Sequence, residues 1–295
     1  MKRRHFLNTS SLAALSLLPT AKLLANHPAV KRNGLGLQLW TVRNQLASDP
    51  SGTIKAIAAA GYQQVELMSV IGSDEIVKMA GDNDMEVRSS FMNWESVATP
   101  ENKNVPSVSA IIDKAKEFGV EYLVFGYIGK QARDSAEKMK AIADRANEVA
   151  AKAAEAGMKL SYHNHSFEFE PLAGETTGFE ILMERLDKKL VNFEFDVFWA
   201  ACGGWDPIET MQKLGSRLGQ IHLKDIKKGT PTIYDEGKVP ADAFQEVGDG
   251  TIDMKRVIEV AAKFGVEQFH VEQDQSPDPL ASIKQSHDYT QRIFK

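Results

Sequence analysis

The chain has 295 residues, 35 Lys and Arg against 40 Asp and Glu, and 43% aliphatic and aromatic residues, which is ample for a large core. The acidic balance argues against a nucleic-acid partner, because phosphate binding needs a basic surface. A single cysteine, Cys202, excludes an internal disulfide framework and a thiol-rich metal site, so any ion must be held by oxygen and imidazole.

The first residues are a separate problem. Lys2-Arg3-Arg4-His5-Phe6-Leu7-Asn8 is a basic head with adjacent arginines, and an Ala/Leu-rich run from Ser10 to Leu24 follows it. This reads as a twin-arginine export signal over residues 1–25, cleaved near Ala25. The apolar run is roughly 15 residues, short of the ~20 that span a bilayer, so no stable membrane anchor is expected after cleavage. Export by this route carries folded proteins, which suits a chain that loads an ion first, and the periplasm is the expected destination. Lys2, Arg3, Arg4 and Lys22 fall in the leader, so the remainder carries 31 basic against 40 acidic residues, a net charge near −9.

Residues 26–295 are close in length to one α/β barrel of ~250 residues, and no low-complexity stretch divides them. In chain order, β-rich runs fall at Leu35–Val42, Gln64–Met68, Met85–Phe91, Glu121–Phe125, Met158–His163, Val191–Val197, Leu218–Leu223 and Glu267–Glu272. Helical patterns separate them, most clearly Asp134–Ala156 and Met254–Phe264. Gly61, Gly119, Gly157 and Gly265 each stand just past a helix and just before a strand, where the left-handed backbone that closes a helix favours glycine. Eight βα units predict a single-domain (β/α)8 barrel over an open doubly wound sheet. The open sheet would want Gly-x-Gly-x-x-Gly after the first strand, where Leu39-Trp40-Thr41-Val42-Arg43-Asn44 stands.

Strand parity assigns the inward faces near the C-terminal rim, where barrel enzymes build their sites. Gly36, Gln38 and Trp40 share a face; so do Gln64, Glu66 and Met68; Ser161, His163 and His165; Glu194, Asp196 and Phe198; Gln220, His222 and Lys224; and His270, Glu272 and Asp274. Unpaired buried polar groups cost several kcal/mol, so a face this rich in charge asks for a shared ligand. Asp196, His222 and Glu272 end three successive strands and form a divalent-metal set. Two long segments, Asn93–Pro106 and Lys227–Gly250, sit on the same presumed face. The second reads as a substrate lid, with Asp253 capping the helix that follows. Gly203-Gly204-Trp205 reads as a flexible rim loop, and Cys202 as a bystander.

Tyr162-His163-Asn164-His165-Ser166-Phe167-Glu168-Phe169, Phe195-Asp196-Val197-Phe198-Trp199, Ile221-His222-Leu223-Lys224-Asp225 and His270-Val271-Glu272 resemble segments of the xylose-isomerase-like TIM-barrel superfamily. The similarity is to its sugar phosphate isomerase/epimerase-type branch, related to ketose 3-epimerases and inosose dehydratase, and runs from Gly34 to Lys295. The resemblance implies one divalent ion, often Mn²⁺, Mg²⁺ or Co²⁺, held by Glu, Asp, His and Glu on strands five to eight. Asp196, His222 and Glu272 match; on the fifth strand His163 replaces the glutamate, and Glu168 follows five residues later. Either His163 ligates the ion, or Glu168 reaches back to it, or three protein ligands suffice.

The implied chemistry starts with removal of the α-proton of a sugar carbonyl polarised by the ion, giving an enediolate. Epimerisation, isomerisation and elimination all diverge from that intermediate. Glu272 is the candidate ligand and base, Glu168 the second acid/base, and Lys224 an oxyanion contact, with pairing to Asp225 or Asp196 as its plain structural alternative. Gln38, Trp40, Glu66, His165 and Trp199 are candidate substrate contacts. Three functions remain open: a sugar isomerase or epimerase with Mn²⁺, Mg²⁺, Co²⁺ or Zn²⁺, a keto-sugar lyase or hydratase, and a non-catalytic sugar-binding barrel. The expected substrate is a non-phosphorylated sugar or keto-sugar, and a homo-oligomer is compatible with all three.

Overall fold

The computed structural model describes residues 34–173 and 176–294, so the predicted leader with Arg3 and Arg4 lies outside the described residues. Eight parallel strands close into a barrel: β1 (Gly36–Gln38), β2 (Gln64–Leu67), β3 (Glu86–Phe91), β4 (Tyr122–Phe125), β5 (Lys159–His163), β6 (Val191–Asp196), β7 (Leu218–Leu223) and β10 (Gln268–Val271). The first strand pairs with β2 on one side and β10 on the other, which completes the ring. A two-stranded antiparallel ribbon, β8 (Asp225–Ile226) with β9 (Phe244–Gln245), stands beyond the rim. All eight predicted barrel strands are present.

The four predicted glycine turns exist, with left-handed backbone at Gly61, Gly119, Gly157 and Gly265. Each ends a helix where a side chain would strain the backbone. The helix Ala136–Glu155 starts at Ser135, whose side chain accepts from the Lys138 backbone N–H, and buries Met139, Ile142, Ala143, Ala146, Val149, Ala150 and Ala153 along one face. The helix Met254–Lys263 is capped by Asp253 as predicted. These faces pack against outward residues such as Leu37, Val65, Leu123, Leu160, Phe193, Ile221 and Phe269. The apolar core is thus a shell between sheet and helices, worth about 1.5–3 kcal/mol for each fully buried large side chain. The inside of the barrel is polar instead: Gln64, Glu66, Ser89, Ser161, Glu194, Gln220, Gln268 and His270 are all buried.

Four local expectations change. The first strand stops at Gln38, and Leu39–Val42 is a 3-10 turn, so Trp40 leaves the inward face and is 46% exposed. After β6 the chain turns at once into the helix Val197–Cys202, and Phe198 stacks on Phe244 instead of facing the barrel interior. Gly203-Gly204-Trp205 is a packed corner, with Trp205 against Phe169 and Phe179. Lys227–Gly250 is not structureless, because it holds β9 and two 3-10 turns.

Candidate active site and metal centre

The rim is organised by pairing across strand ends. Asn164 donates to the Asp196 carbonyl at 3.1 Å and accepts from the Asp196 N–H at 3.0 Å, which locks the end of β6 beside the residue after β5. Asp196 then divides its carboxylate: Oδ1 caps the following helix by accepting from the Trp199 N–H at 2.8 Å, and Oδ2 is buried without a hydrogen-bond partner. Asp196 lies beside His222 in register, and His222 beside His270. His222 Nδ1 lies 3.1 Å from Glu272 Oε2 and 3.8 Å from Asp196 Oδ2. His163, Asp196, His222 and Glu272 each present a donor atom, all within 4.8 Å of one another. His163 Nδ1, like Asp196 Oδ2, is buried without a hydrogen-bond partner. His163 Nδ1 faces Glu194 Oε2 at 3.5 Å, whereas the orphaned Asp196 Oδ2 and the clustered donors fit a divalent ion, with nitrogen and oxygen ligands that suit Zn²⁺, Mn²⁺ or Co²⁺.

The electrostatics match that reading. Burial pushes Asp196 up to about 7 against the opposing pull of Lys224 and His222. Burial also opposes a charge on His222, but Glu194 and Glu66 outweigh it and hold the ring protonated well above its ordinary range. Burial would likewise raise Glu272, yet the Lys224 ammonium and His222 bring it down to about 2. Were an ion to bind here, His222 and Asp196 would have to give up protons to hold it, whereas Glu272 is already charged.

Above this set lies a cavity of ≈ 720 Å³, lined among others by Gln38, Trp40, Trp94, Tyr127, His163, His165, Trp199, Glu236, Phe244, Glu272 and Asp274. The size is within the range of small-molecule sites. His165 stacks on Phe167, and burial, with Lys224 opposing a second positive charge, lowers it to about 3, so its imidazole is neutral. Asp274 is raised by burial although Lys224 donates to its Oδ1 at 2.7 Å. The segment after β7 reaches across to the loop after β4: Tyr127 donates to Glu236 at 2.8 Å, Arg133 meets both Glu236 oxygens at 3.0 Å, and Lys130 meets Asp235 at 3.1 Å. Arg133 in turn lies flat over Phe167, 3.3 Å from the ring centre.

The predicted site residues therefore separate. Gln38, Trp40, His165 and Trp199 line the cavity, as do His163 and Glu272. Glu66 does not; it sits inside the barrel, bonded to Gln38 at 2.7 Å, Ser89 at 2.5 Å and His222 at 2.8 Å. Lys224 is fully buried beneath the cavity floor, 3.1 Å from Glu272 Oε2, and positions carboxylates where an oxyanion contact was expected. Glu168 is the clearest correction. Its oxygens accept from the Tyr162 hydroxyl at 2.6 Å and the His165 N–H at 2.8 Å, which closes a 3-10 turn behind β5, and it does not line the cavity. Asp274, Asn164, Tyr127, Arg133 and Glu236 were missed. Asp274 had a signal, because it shares parity with His270 and Glu272, whereas the Arg133–Glu236 pair joins residues 103 apart in sequence.

A family model described as Xylose isomerase-like TIM barrel matches residues 54–293. An inosose dehydratase of Clostridium perfringens (strain 13 / Type A) is 27% identical over 246 residues, 76% of this chain and 82% of that protein. Among solved structures, a sugar phosphate isomerase/epimerase of Parabacteroides distasonis superposes with a TM-score of 0.72 at 23% identity, covering 88% of this chain and 95% of that one. The IOLI protein, solved with a zinc atom bound, superposes with a TM-score of 0.67 at 14% identity, covering 88% of this chain and 97% of that one. With a closed barrel of eight parallel strands and a matching model over most of its length, this chain belongs to the xylose isomerase-like TIM barrel family.

Proposed function

We propose that this protein is a divalent-metal-dependent lyase that removes water, or a glycosidic oxygen, from the carbon beta to the carbonyl of a non-phosphorylated keto-sugar. The observation that carries the reading is the arrangement of carboxylates. Asp274 and Glu272 share one lysine at one side of the cavity, while Glu168, expected as the second acid/base for two-sided proton transfer, is engaged behind β5. An ion held by His163, Asp196, His222 and Glu272 supplies Lewis-acid polarisation of the carbonyl. Lys224 keeps Glu272 ionised as a ligand, and Asp274, raised by burial, is the better proton acceptor. Asp274 takes the α-proton and the C–H electron pair delocalises onto the carbonyl oxygen. The pair then returns to form the Cα=Cβ double bond as the β-carbon–oxygen bond breaks, and the departing oxygen takes the proton from Asp274 and leaves as water or an alcohol. One carboxylate suffices because the proton leaves and returns on one face. Neutral His165 positions a sugar hydroxyl, and Trp199 offers an apolar wall. Similarity to an inosose dehydratase supports a loss of water, and the IOLI protein, which shares the fold, was solved with a zinc atom bound. The cavity is also lined by Glu95, Glu236, Glu272 and Asp274 with Arg43 the cation among its lining residues, a balance that disfavours a phosphorylated substrate.

Incubation of the metal-loaded protein with free keto-sugars and 3-keto-glycosides in D₂O, followed by NMR, tests this. Expected are an unsaturated or dehydrated product by syn loss, and its absence with Asp274→Asn although that variant still binds metal. A product that keeps every oxygen and carries deuterium at an inverted or migrated carbon would replace the lyase with the second reading, an epimerase or isomerase, which the Parabacteroides distasonis structure supports at the level of fold. We further propose that the protein acts in the periplasm, on the strength of Arg3-Arg4 and the apolar run after it. Arg3→Lys with Arg4→Lys should retain the full-length chain in the cytoplasmic fraction; normal processing of that variant would reject this destination.

A further inference from the structure

We propose that the barrel interior holds a second divalent cation, one layer below the mouth, on Glu66, Glu194 and His270. These residues come from β2, β6 and β10 and are all 0% exposed. His270 is the telling one: neither ring nitrogen has a hydrogen-bond partner, and Nδ1 points between the two carboxylates, 3.8 Å from Glu66 Oε1 and 3.6 Å from Glu194 Oε1. Glu194 Oε2 has no hydrogen-bond partner among the described residues and faces His163 Nδ1 at 3.5 Å, while Gln220 donates to Glu194 Oε1 at 3.0 Å. A buried imidazole without any partner is costly and asks for a ligand. Donors about 2.0–2.2 Å from a first-row ion lie about 3.0–3.6 Å from one another, and the donor atoms of this cluster lie within 4.8 Å of one another, so the set would close by contracting around an ion.

The backbone is adapted to the same point. The barrel pairings shift register beside Glu66 and beside Glu194, the extra residue being Arg88 on β3 and Gly219 on β7, so the ladder is locally irregular next to both carboxylates. Opposite, Gly36 leaves room for the imidazole: a Cβ there would meet His270 Cδ2 at 2.2 Å. His222 roofs the set, its Nε2 2.8 Å from Glu66 Oε2 and 3.3 Å from Glu194 Oε1. With Nδ1 turned to the mouth and Nε2–H donated to Glu66, the ring separates the two sites without belonging to the lower one. The two carboxylates balance one dication.

The lower site has no exposed ligand, which excludes an ion that must keep several waters, such as Mg²⁺, and selects a nitrogen-binding ion such as Zn²⁺. It also seals the ion in as the barrel closes. This inference stands apart from the mouth site, and one experiment separates them. The protein, produced in zinc-supplemented medium, is dialysed against EDTA with and without guanidinium, zinc is counted by mass spectrometry, and crystals are measured at the zinc edge. Expected are two zinc per chain, one stripped from the native protein and one released only on unfolding, with two anomalous peaks. Glu194→Gln or His270→Gln should leave one EDTA-labile zinc, and Asp196→Asn one EDTA-resistant zinc. The inference is overturned if the native protein holds at most one zinc, indifferent to Glu194→Gln, with a single peak at the mouth; protons would then hold the lower layer. A single resistant zinc lost in Glu194→Gln and kept in Asp196→Asn upholds the inference and rejects the mouth site. The diffraction arm uses unaltered protein, so a variant that fails to fold leaves the test intact.

Discussion

His163 and Glu168 stand five residues apart, and the fold sends them to opposite sides of β5. His163 lines the cavity and joins the donor cluster of Asp196, His222 and Glu272, whereas Glu168 turns back to Tyr162 and the His165 N–H. His163→Ala should weaken metal binding at least about tenfold, and Glu168→Gln should leave it unchanged, read by isothermal titration with Zn²⁺. Burial raises Glu168 to about 7 from an ordinary 4.5, against the pull of the Tyr162 hydroxyl. A folded value above the unfolded one means its contribution to stability is full below about 4.5 and is lost as pH climbs to about 7. Glutamine mimics the protonated acid, so the variant should lose that part of the pH slope; a lost turnover with intact metal would return Glu168 to the chemistry. That Asp196, His222 and Glu272 meet at one place was legible because alternation along a strand is strict, and they sit at strand ends where it still holds. Parity misled at Trp40 and Phe198, where the strand had already ended. For Glu168, spacing carried no information about the direction of a tight turn.

At the scale of elements, the segment after β7 is held by one carboxylate. Asp225 accepts from the backbone N–H groups of Ile226, Gly248, Gly250 and Ile252 at 2.9 to 3.1 Å. A glycine at position 250 is required, because a Cβ would lie 2.2 Å from Asp225 Oδ1. Asparagine would turn one acceptor into a donor against these amides. Asp225→Asn should therefore cost about 2–4 kcal/mol in urea unfolding and raise KM, since the same segment supplies Glu236 and Phe244 to the cavity. Unchanged stability would show that the carboxylate does not organise the segment. The Gly-rich turn and the Asp253 cap could be read from local motifs. The grip of Asp225 on residues 23 to 27 positions away could not, because the intervening 3-10 turns hide where the chain returns.

For the molecule as a whole, an ion at the proposed mouth site would add to folding stability. Free ion at about 100 times Kd should add about 2.7 kcal/mol, or roughly 5–11 °C in Tm for a domain of this size. The gain depends on pH in a fixed direction. His222 is held protonated above its ordinary range and Asp196 is raised to about 7, so both must release protons to bind the ion. The Tm increment with Zn²⁺ should thus be larger at about pH 8 than at about pH 6, measured by calorimetry against an EDTA control. An increment that grows on acidification would contradict the mouth assignment. The barrel itself was legible from eight runs and four glycine turns, since each unit repeats a local pattern; its polar lining was legible only in part, because pairings such as Gln220 with Ser89, 131 residues apart, leave no trace in local sequence.

The ties from Tyr127, Lys130 and Arg133 to Asp235 and Glu236 run from the loop after β4 to the loop after β7, over the intervening β5 and β6. They form a strap across one half of the opening, while Trp40 and Met68, following β1 and β2, stay exposed on the other half. Traffic is then one-sided: a molecule enters and departs past Trp40 and Met68, reaching the floor with its leading ring and trailing its remainder into solvent. Bulk on that trailing end would meet no wall, so for the keto-sugar proposed as substrate discrimination would be concentrated on the ring that arrives first, and a glycoside and its free sugar would become comparable guests.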